Sequence, residues 1–525
     1  MKRRSFIAGT TALAGLSAIP WRMALAGHLD EGTPKYGGTL RVAYASDIRS
    51  GSFTLNRQSP SGYETGWVSN NIHSGLITLG PDYEVVPDLA KSWEILGGGK
   101  EYIFHLHKNV KFHDGTDCDA AAIKWNFDDM ITRGKKSWVY VYYNQLESTQ
   151  AVDKHTFKIT MQEPAALLPP LSGYFSGVPI GSPTAVKKYG KDWLRHPVGT
   201  GAFTYDVNDY RPGELIVLKK NPNYFKPGLP YLDRINIQVI RDPIAGMTAL
   251  RTGQIDFLQR IQAQHVPIMQ RAKGVTLVTA PERMPLICMM NLRKPPFDDV
   301  RVRRAVGGFG LNRKEIAQTV FQGRANPLTS ILPHGVQDHL DLSEMYPYDP
   351  EKAKALLKEA GYDKNNPLAF ELLLNNDAPF FADAATMIKS QMEKINVKVK
   401  LVMMDKPAWL NRSLREYDFE MTMEDFGALV DINQRLVSFF KGARGNYMGM
   451  DSPEIVDLIM KWRRSVEPTE RREISHQIQR IFAKDMLWCN VTGSPYFQAY
   501  RDYVKGYHFM NQIYVYWETT WLDKA

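Results

Sequence analysis

The chain has 525 residues, 44% of them hydrophobic and 23% charged, with a formal net charge of +9. That length is too great for a single hydrophobic core and implies two or three lobes. The composition excludes a disordered or fibrous chain. Four basic residues (Lys2, Arg3, Arg4, Arg22) fall in a leader without acidic residues, leaving +5 on the remainder, which does not call for nucleic acid.

The leader is read as a targeting segment and kept out of the fold. Lys2-Arg3-Arg4-Ser5-Phe6-Ile7 is a basic head with adjacent arginines. Ala8 to Ile19 is an apolar run too short to cross a bilayer, and Ala24-Leu25-Ala26 is a small-x-small cleavage site. The pattern resembles a twin-arginine export signal; an ordinary Sec signal carrying two arginines is the alternative. No later stretch approaches twenty uninterrupted apolar residues, and no cysteine lies near the cleavage site. An exported, freely diffusing chain is expected. Cys118, Cys288 and Cys489 form no C-x-x-C pair, so zinc and thioredoxin-like chemistry have no support. Export permits disulfides, but an odd count leaves at least one thiol unpaired.

In chain order, Leu40, Val42 and Tyr44 alternate and predict a strand. Ser46 to Gly62 is a polar, Gly/Ser-rich loop, long enough to carry function. Glu64 to Gly75 reads as a helix. Tyr102, Phe104 and Leu106 share one face of a second strand, with Gly97-Gly98-Gly99 turning before it. Asp119 is placed to cap a helix bearing Ile123, Phe127 and Ile131. Thr156 to Gln162 and Ile235 to Ile240 alternate as strands. Ser182-Pro183 and Asp242-Pro243 open helices, Pro being tolerated in the first turn. Arg283 to Leu292 is apolar and extended. Further on, a helix from Pro350 to Gly361, a strand at Leu368–Leu374, a helix around Ile388, Met392 and Ile395, and a strand at Val397–Met403 form a β-α-β run. Tyr417-Asp418-Phe419 begins another strand, Ser452-Pro453 opens a helix, a longer one carries Ile474, Ile478 and Phe482, and Leu487 to Thr492 is the last extended run before the C-terminal segment.

Ala90-Lys91-Ser92-Trp93, Tyr102-Ile103-Phe104 and Val110-Lys111-Phe112-His113-Asp114-Gly115, followed by the helix start at Ala120, occur in a fixed order. So do Pro197 to Phe203, Asn221 to Phe225, Pro230 to Ile235, and Asn291 with Pro295 to Arg303. This order resembles the family 5 extracellular solute-binding proteins, the dipeptide- and oligopeptide-type receptors of bacterial ABC importers. The resemblance implies an α/β, periplasmic binding protein-like type II fold: two lobes joined by two crossing strands, plus an additional domain. The expected division is residues 1–26 signal, 27–72 first part of lobe I, 73–195 additional domain, 196–285 second part of lobe I, 286–490 lobe II and 491–525 return to lobe I. Cys288 and Cys489 would sit on the two crossings and could be neighbours.

No H-E-x-x-H, G-x-S-x-G or G-x-x-x-x-G-K-[ST] motif is present, so no enzyme is expected. His105 and His107 share a strand face but lack a carboxylate or thiol to complete a metal site; neither metal nor cofactor is expected. The resemblance implies a small-molecule ligand, an inner-membrane ABC permease as partner, a periplasmic location and a monomer. The expected ligand-binding residues are Ser46, Asp47, Phe53, Tyr140, Trp409, Asp425, Phe426 and Asp431. Peptide receptors of this family hold the ligand ammonium with an aspartate shortly before an Asp-Pro pair. Here that pair reads Asp431-Ile432, the expected aspartate falls near Ala428, and Asp425 lies about one turn away. A sugar, an opine or another small polar metabolite is therefore the alternative to a peptide.

Overall fold

Local sequence sets the elements, and their edges follow from identifiable residues. The computed structural model describes residues 32–45, 62–134, 140–173, 177–280, 282–376, 379–425, 431–432, 440, 445–509 and 515–524. In Glu101–Leu106 the side chains alternate half-buried and buried, so Tyr102, Phe104 and Leu106 face inward as expected. The Asp119 carboxylate accepts from the backbone N–H groups of Ala121 and Ala122 at 3.1 and 3.0 Å, capping the helix Ala120–Arg133. That helix buries Ile123, Phe127 and Met130; Ile131 is only partly covered.

Among the described residues the strands form three larger sheets. The first has seven strands, ordered Val275–Thr279, Phe497–Arg501, Phe257–Ile261, Thr39–Tyr44, Arg234–Val239, Leu215–Lys220 and Phe203–Tyr205. Thr39–Tyr44 runs parallel to both of its neighbours. The second has five strands, ordered Val397–Met404, Leu368–Asn375, Met421–Asp425, Pro285–Met290 and Trp488–Gly493. The third has four antiparallel strands, ordered Ala90–Leu96, Glu101–Leu106, Thr156–Met161 and Leu146–Asp153. This is the mixed α/β, multi-unit architecture that the resemblance implies.

The strands Pro285–Met290 and Trp488–Gly493 are buried at every position. They pair antiparallel within the second sheet, whereas their sequence neighbours Val275–Thr279 and Phe497–Arg501 belong to the first. They are the two crossings. Strand alternation sends Leu286, Cys288 and Met290 into a core with Phe297 and Phe370. Ile287 and Met289 enter another, with Trp409 and Trp488. A strand covered on both faces has no polar alternation, which is why Arg283 to Leu292 reads as a continuous apolar run.

One expectation changes, and one strand is added. The strand expected from Tyr417 begins at Met421. Tyr417 has φ +56°, a left-handed angle incompatible with a strand, and Asn291 instead donates to the Tyr417 and Phe419 carbonyls at 3.1 and 2.9 Å. Leu146–Asp153 is an edge strand with mostly exposed side chains, and so lacks the alternation that marks a half-buried one.

The four-stranded unit is tied to the seven-stranded lobe by a buried charge cluster. Lys226 Nζ lies 3.3 Å from Asp88 Oδ1 and 3.0 Å from Glu518 Oε1, and the Tyr224 hydroxyl donates to Glu518. Burial pushes the Asp88 carboxyl up despite the neighbouring ammonium.

Candidate functional site

The parallel strands of an open α/β sheet present their carboxyl ends to one edge, where ligands of such folds bind. Thr39–Tyr44 leads into the segment holding Ser46, Asp47 and Phe53, and Met421–Asp425 leads into the one holding Phe426. Those four residues lie outside the described residues, as does Ala428. Asp425 is the last residue of its strand, half-buried and in register with Leu286 of the first crossing. Its neighbour Glu424 is buried 3.9 Å from Lys406 Nζ.

Asp431 is half-buried with a carboxylate oxygen 4.0 Å from Arg471 Nη2. Tyr140 opens the one-turn helix Tyr140–Tyr143 and is half-buried, while Tyr143 packs edge-on against Phe127. Trp409 is 1% exposed, and its indole N–H donates to Thr422 Oγ1 at 2.8 Å. It packs in the core of the five-stranded lobe and props Met421–Asp425, because a buried indole N–H needs an acceptor and Thr422 supplies one.

The structure adds residues that the sequence reading passed over. Arg463 is buried with its guanidinium 5.5 Å from the Phe440 ring, and burial pulls its pKa down to about 10, against the opposing influence of Tyr142 and Asp431. Arg471 stands 3.9 Å from the Trp462 ring; burial lowers its pKa too, offset by Asp431, Asp338 and Tyr102. Tyr102 and Tyr142 belong to the four-stranded unit, and the arginines to helices of the five-stranded lobe, so charge and aromatic surface from two units converge around Asp431. Arginines on amphipathic helices ordinarily face water. The only hint in the sequence is that Arg463 follows Trp462 directly.

The units touch directly here. The Ala166 N–H donates to the Arg463 carbonyl at 2.9 Å, and Arg464 Nε lies 2.7 Å from Glu163 Oε2. A hollow of about 490 Å³ lined by Asp457, Met460, Lys461, Arg464, Ser465 and Glu470 adjoins that pair. A Cβ on Gly99, whose φ is +98°, would come within 2.9 Å of the Ala165 carbonyl and 3.0 Å of Val466, so the hairpin tip depends on glycine to reach the other lobe. On the other side, Arg260 of the seven-stranded sheet lies 5.6 Å from the Phe380 ring and 5.5 Å from the Tyr496 ring. Phe380 belongs to the helix Pro379–Glu393 of the five-stranded lobe.

His105, His107 and His113 make separate contacts. His105 Nε2 pairs with Glu94 Oε1 at 2.6 Å, and His107 tilts against Phe225. His113 Nε2 lies 3.1 Å from the Gly201 carbonyl, joining two of the motif blocks, and burial pulls its pKa down to about 4. Among the described residues no group of three or more His, Cys, Asp or Glu side chains is placed to hold a metal ion.

The model of "Bacterial extracellular solute-binding proteins, family 5 Middle" matches residues 84–447. The chain is 30% identical over 338 residues to the glutathione-binding protein GsiB of Escherichia coli O1:K1; this covers 64% of the chain and 65% of that protein, just under two thirds of its length. Among solved structures, the oligopeptide-binding protein AppA of Bacillus subtilis, in complex with a nonapeptide, superposes with a TM-score of 0.82 at 21% identity, covering 94% of this chain and 100% of that one. AgaA of A. tumefaciens R10, in complex with agropinic acid, gives a TM-score of 0.81 at 25% identity, covering 93% and 99%.

Proposed function

Since the chain belongs to the bacterial extracellular solute-binding protein family 5, we propose that it is the periplasmic solute-binding component of an ABC importer. It captures a small polar ligand, a di- or oligopeptide or peptide-like molecule, between its lobes and delivers it to an inner-membrane permease. The observation that carries the proposal is the pair of adjacent crossings, Pro285–Met290 and Trp488–Gly493, which join two separate sheets through one short pair of strands. A ligand that touches both lobes only when they are shut shifts the open–closed equilibrium by its differential affinity. No covalent step is involved.

The proposed division keeps the expected boundaries: 27–72, 196–285 and 491–525 for lobe I, 73–195 for the additional domain and 286–490 for lobe II. Sheet membership supports it, save that Pro285 and residues 491–493 pair within the sheet of lobe II. Ser46, Asp47, Phe53, Tyr140, Asp425, Phe426 and Asp431 remain the proposed ligand contacts, to which Arg463 and Tyr142 are added; Trp409 is proposed to act by supporting the strand that ends at Asp425. The protein is proposed to work as a monomer, exported by its leader.

Similarity to GsiB, which binds glutathione, and to AppA with its nonapeptide favours a peptide-like ligand. The expected aspartate position, which falls near Ala428, and the similarity to AgaA with agropinic acid favour an opine-like or other non-peptide solute as the second reading. A ligand-presenting sensor is separated from a transporter by pull-down of the membrane partner. Native mass spectrometry of freshly purified protein identifies the co-purified solute. In a melting screen, a peptide at a hundredfold excess over its Kd stabilises by about 2.7 kcal/mol. If no di- or tripeptide shifts the melt while an opine or a sugar does, the peptide reading fails.

A further inference from the structure

The crossings place Cys288 and Cys489 directly opposite one another in an antiparallel pair. Both are free and buried, at 0% and 3% exposure. Opposed residues in such a pair have Cα atoms about 4.5–5.5 Å apart, within the roughly 4.4–6.8 Å that a disulfide spans. Cys118 is buried in a different core, that of the four-stranded unit, and cannot take part.

Arg313 stands against the pair. Its guanidinium is buried, donating to the carbonyls of Leu328, Asn490 and Gly308 at 3.1, 2.7 and 3.3 Å and to that of Gly307. The Cys489 thiol lies 3.9 Å from the same Gly307 oxygen. The neighbouring Cys288 thiol, and then Arg313, pull Cys489 below the ordinary thiol range, while Cys288 moves above it. A thiolate is the attacking species in exchange, and a fixed cation beside it favours that form. Cys118, by contrast, is pushed up by burial.

We propose that Cys288 and Cys489 are a disulfide-forming pair that staples the edge strand of the second lobe to its neighbour at the hinge, closing by exchange with a disulfide oxidant as the chain folds. Cys489 as thiolate attacks one sulfur of the oxidant and expels one thiolate. Cys288, deprotonated, then attacks Cys489 Sγ and expels the second. Two protein thiols are oxidised to one disulfide, and one oxidant disulfide is reduced to two thiols that take up the two protons. Once the strands are packed, the bond is buried in the core that holds Phe297 and Phe370 and resists reductant. The pair is about 200 residues apart in sequence, so the closed loop constrains the unfolded chain strongly. Two cysteines used only as small apolar fillers would remain thiols.

The test uses the full chain, reduced and unfolded in guanidinium, then refolded in parallel with cystamine or with dithiothreitol. The soluble fractions are denatured, alkylated with iodoacetamide, and read by intact mass and peptide mapping. The expected result is one alkylated cysteine, Cys118, and a linked 288–489 peptide in the cystamine arm, against three alkylated cysteines in the other. The oxidised form should melt several degrees higher, and the difference should vanish in Cys288→Ala and Cys489→Ala. Three free thiols in both arms, a persistent cysteamine adduct, a link to Cys118, or equal melting of the two wild-type forms would overturn the proposal. The covalent readout on wild-type protein stands even if a variant does not fold, and it is independent of which solute the cleft takes.

Discussion

Replacing Arg260 by methionine should weaken ligand binding about fivefold without unfolding the free protein. Arg260 sits on Phe257–Ile261 in the seven-stranded lobe, with its guanidinium 5.6 Å from Phe380 across the gap and 5.5 Å from Tyr496 on the return segment. If the lobes open as proposed, Arg260 parts from Phe380 of the other lobe but keeps Tyr496 of its own, so only one of the two contacts belongs to the closed form. A cation–π contact contributes about 0.5–1 kcal/mol when exposed and about 2 kcal/mol when desolvated; for a half-buried arginine, about 1 kcal/mol is the reasonable figure. Lost from the closed state alone, about 1 kcal/mol corresponds to roughly a fivefold rise in Kd. Methionine keeps the apolar stem and so isolates the charge. Titration calorimetry with the peptide giving the largest melting shift measures Kd, and small-angle scattering with and without it reports closure. An unchanged Kd, or a fall in the melting temperature of the free variant large enough to account for weaker binding, would refute the reasoning.

Lys226→Met should destabilise the fold by about 3–5 kcal/mol, because it leaves Asp88 and Glu518 facing each other without the buried cation; a thermal melt checks it, and Asp88→Asn added on top should recover part of the loss. Asp256 is fully buried and accepts from Arg41, the Tyr503 hydroxyl (2.6 Å) and Lys524 (3.1 Å). Burial alone would raise its pKa, but these donors outweigh burial and hold it below the usual carboxylate range. Its contribution is therefore present above about pH 4 and lost as pH falls through the lower folded value. In Asp256→Asn the stability deficit at neutral pH should shrink in acid, as followed by denaturant titration across pH. His113, with a folded pKa of about 4, works in the same direction over a different window: its contribution is complete above about pH 6.5 and lost between there and about 4, on the order of 3 kcal/mol at most. His113→Asn, which keeps a donor for Gly201, should flatten that part of the pH–stability curve, and an unchanged slope would remove His113 as its cause.

Local chemistry made much of this fold legible. The Asp119 cap, the alternation of Tyr102, Phe104 and Leu106, and the Asp349-Pro350 and Ser452-Pro453 helix starts depend on neighbours within a few residues, and the structure has them as expected. Leu146–Asp153 was not legible, because an edge strand with exposed side chains carries no period-two signal. The early start assigned to the strand at Tyr417 failed because Tyr417 is left-handed, and its carbonyl accepts from Asn291, more than a hundred positions away.

The site divides along the same line. The proposal that the loops after Thr39–Tyr44 and Met421–Asp425 meet the ligand, with the position expected to hold an aspartate near Ala428, comes from the order of the residues and the resemblance it carries. That Trp409 is a prop within the core, that Arg463 and Arg471 converge with Asp431 beneath tyrosines from another unit, and that Cys288 stands opposite Cys489 are consequences of packing. Periodicity and capping are properties of a few consecutive residues and survive in a one-dimensional string. Burial, charge convergence and strand register arise only when distant segments exclude water from one another, and that is settled by the tertiary structure alone.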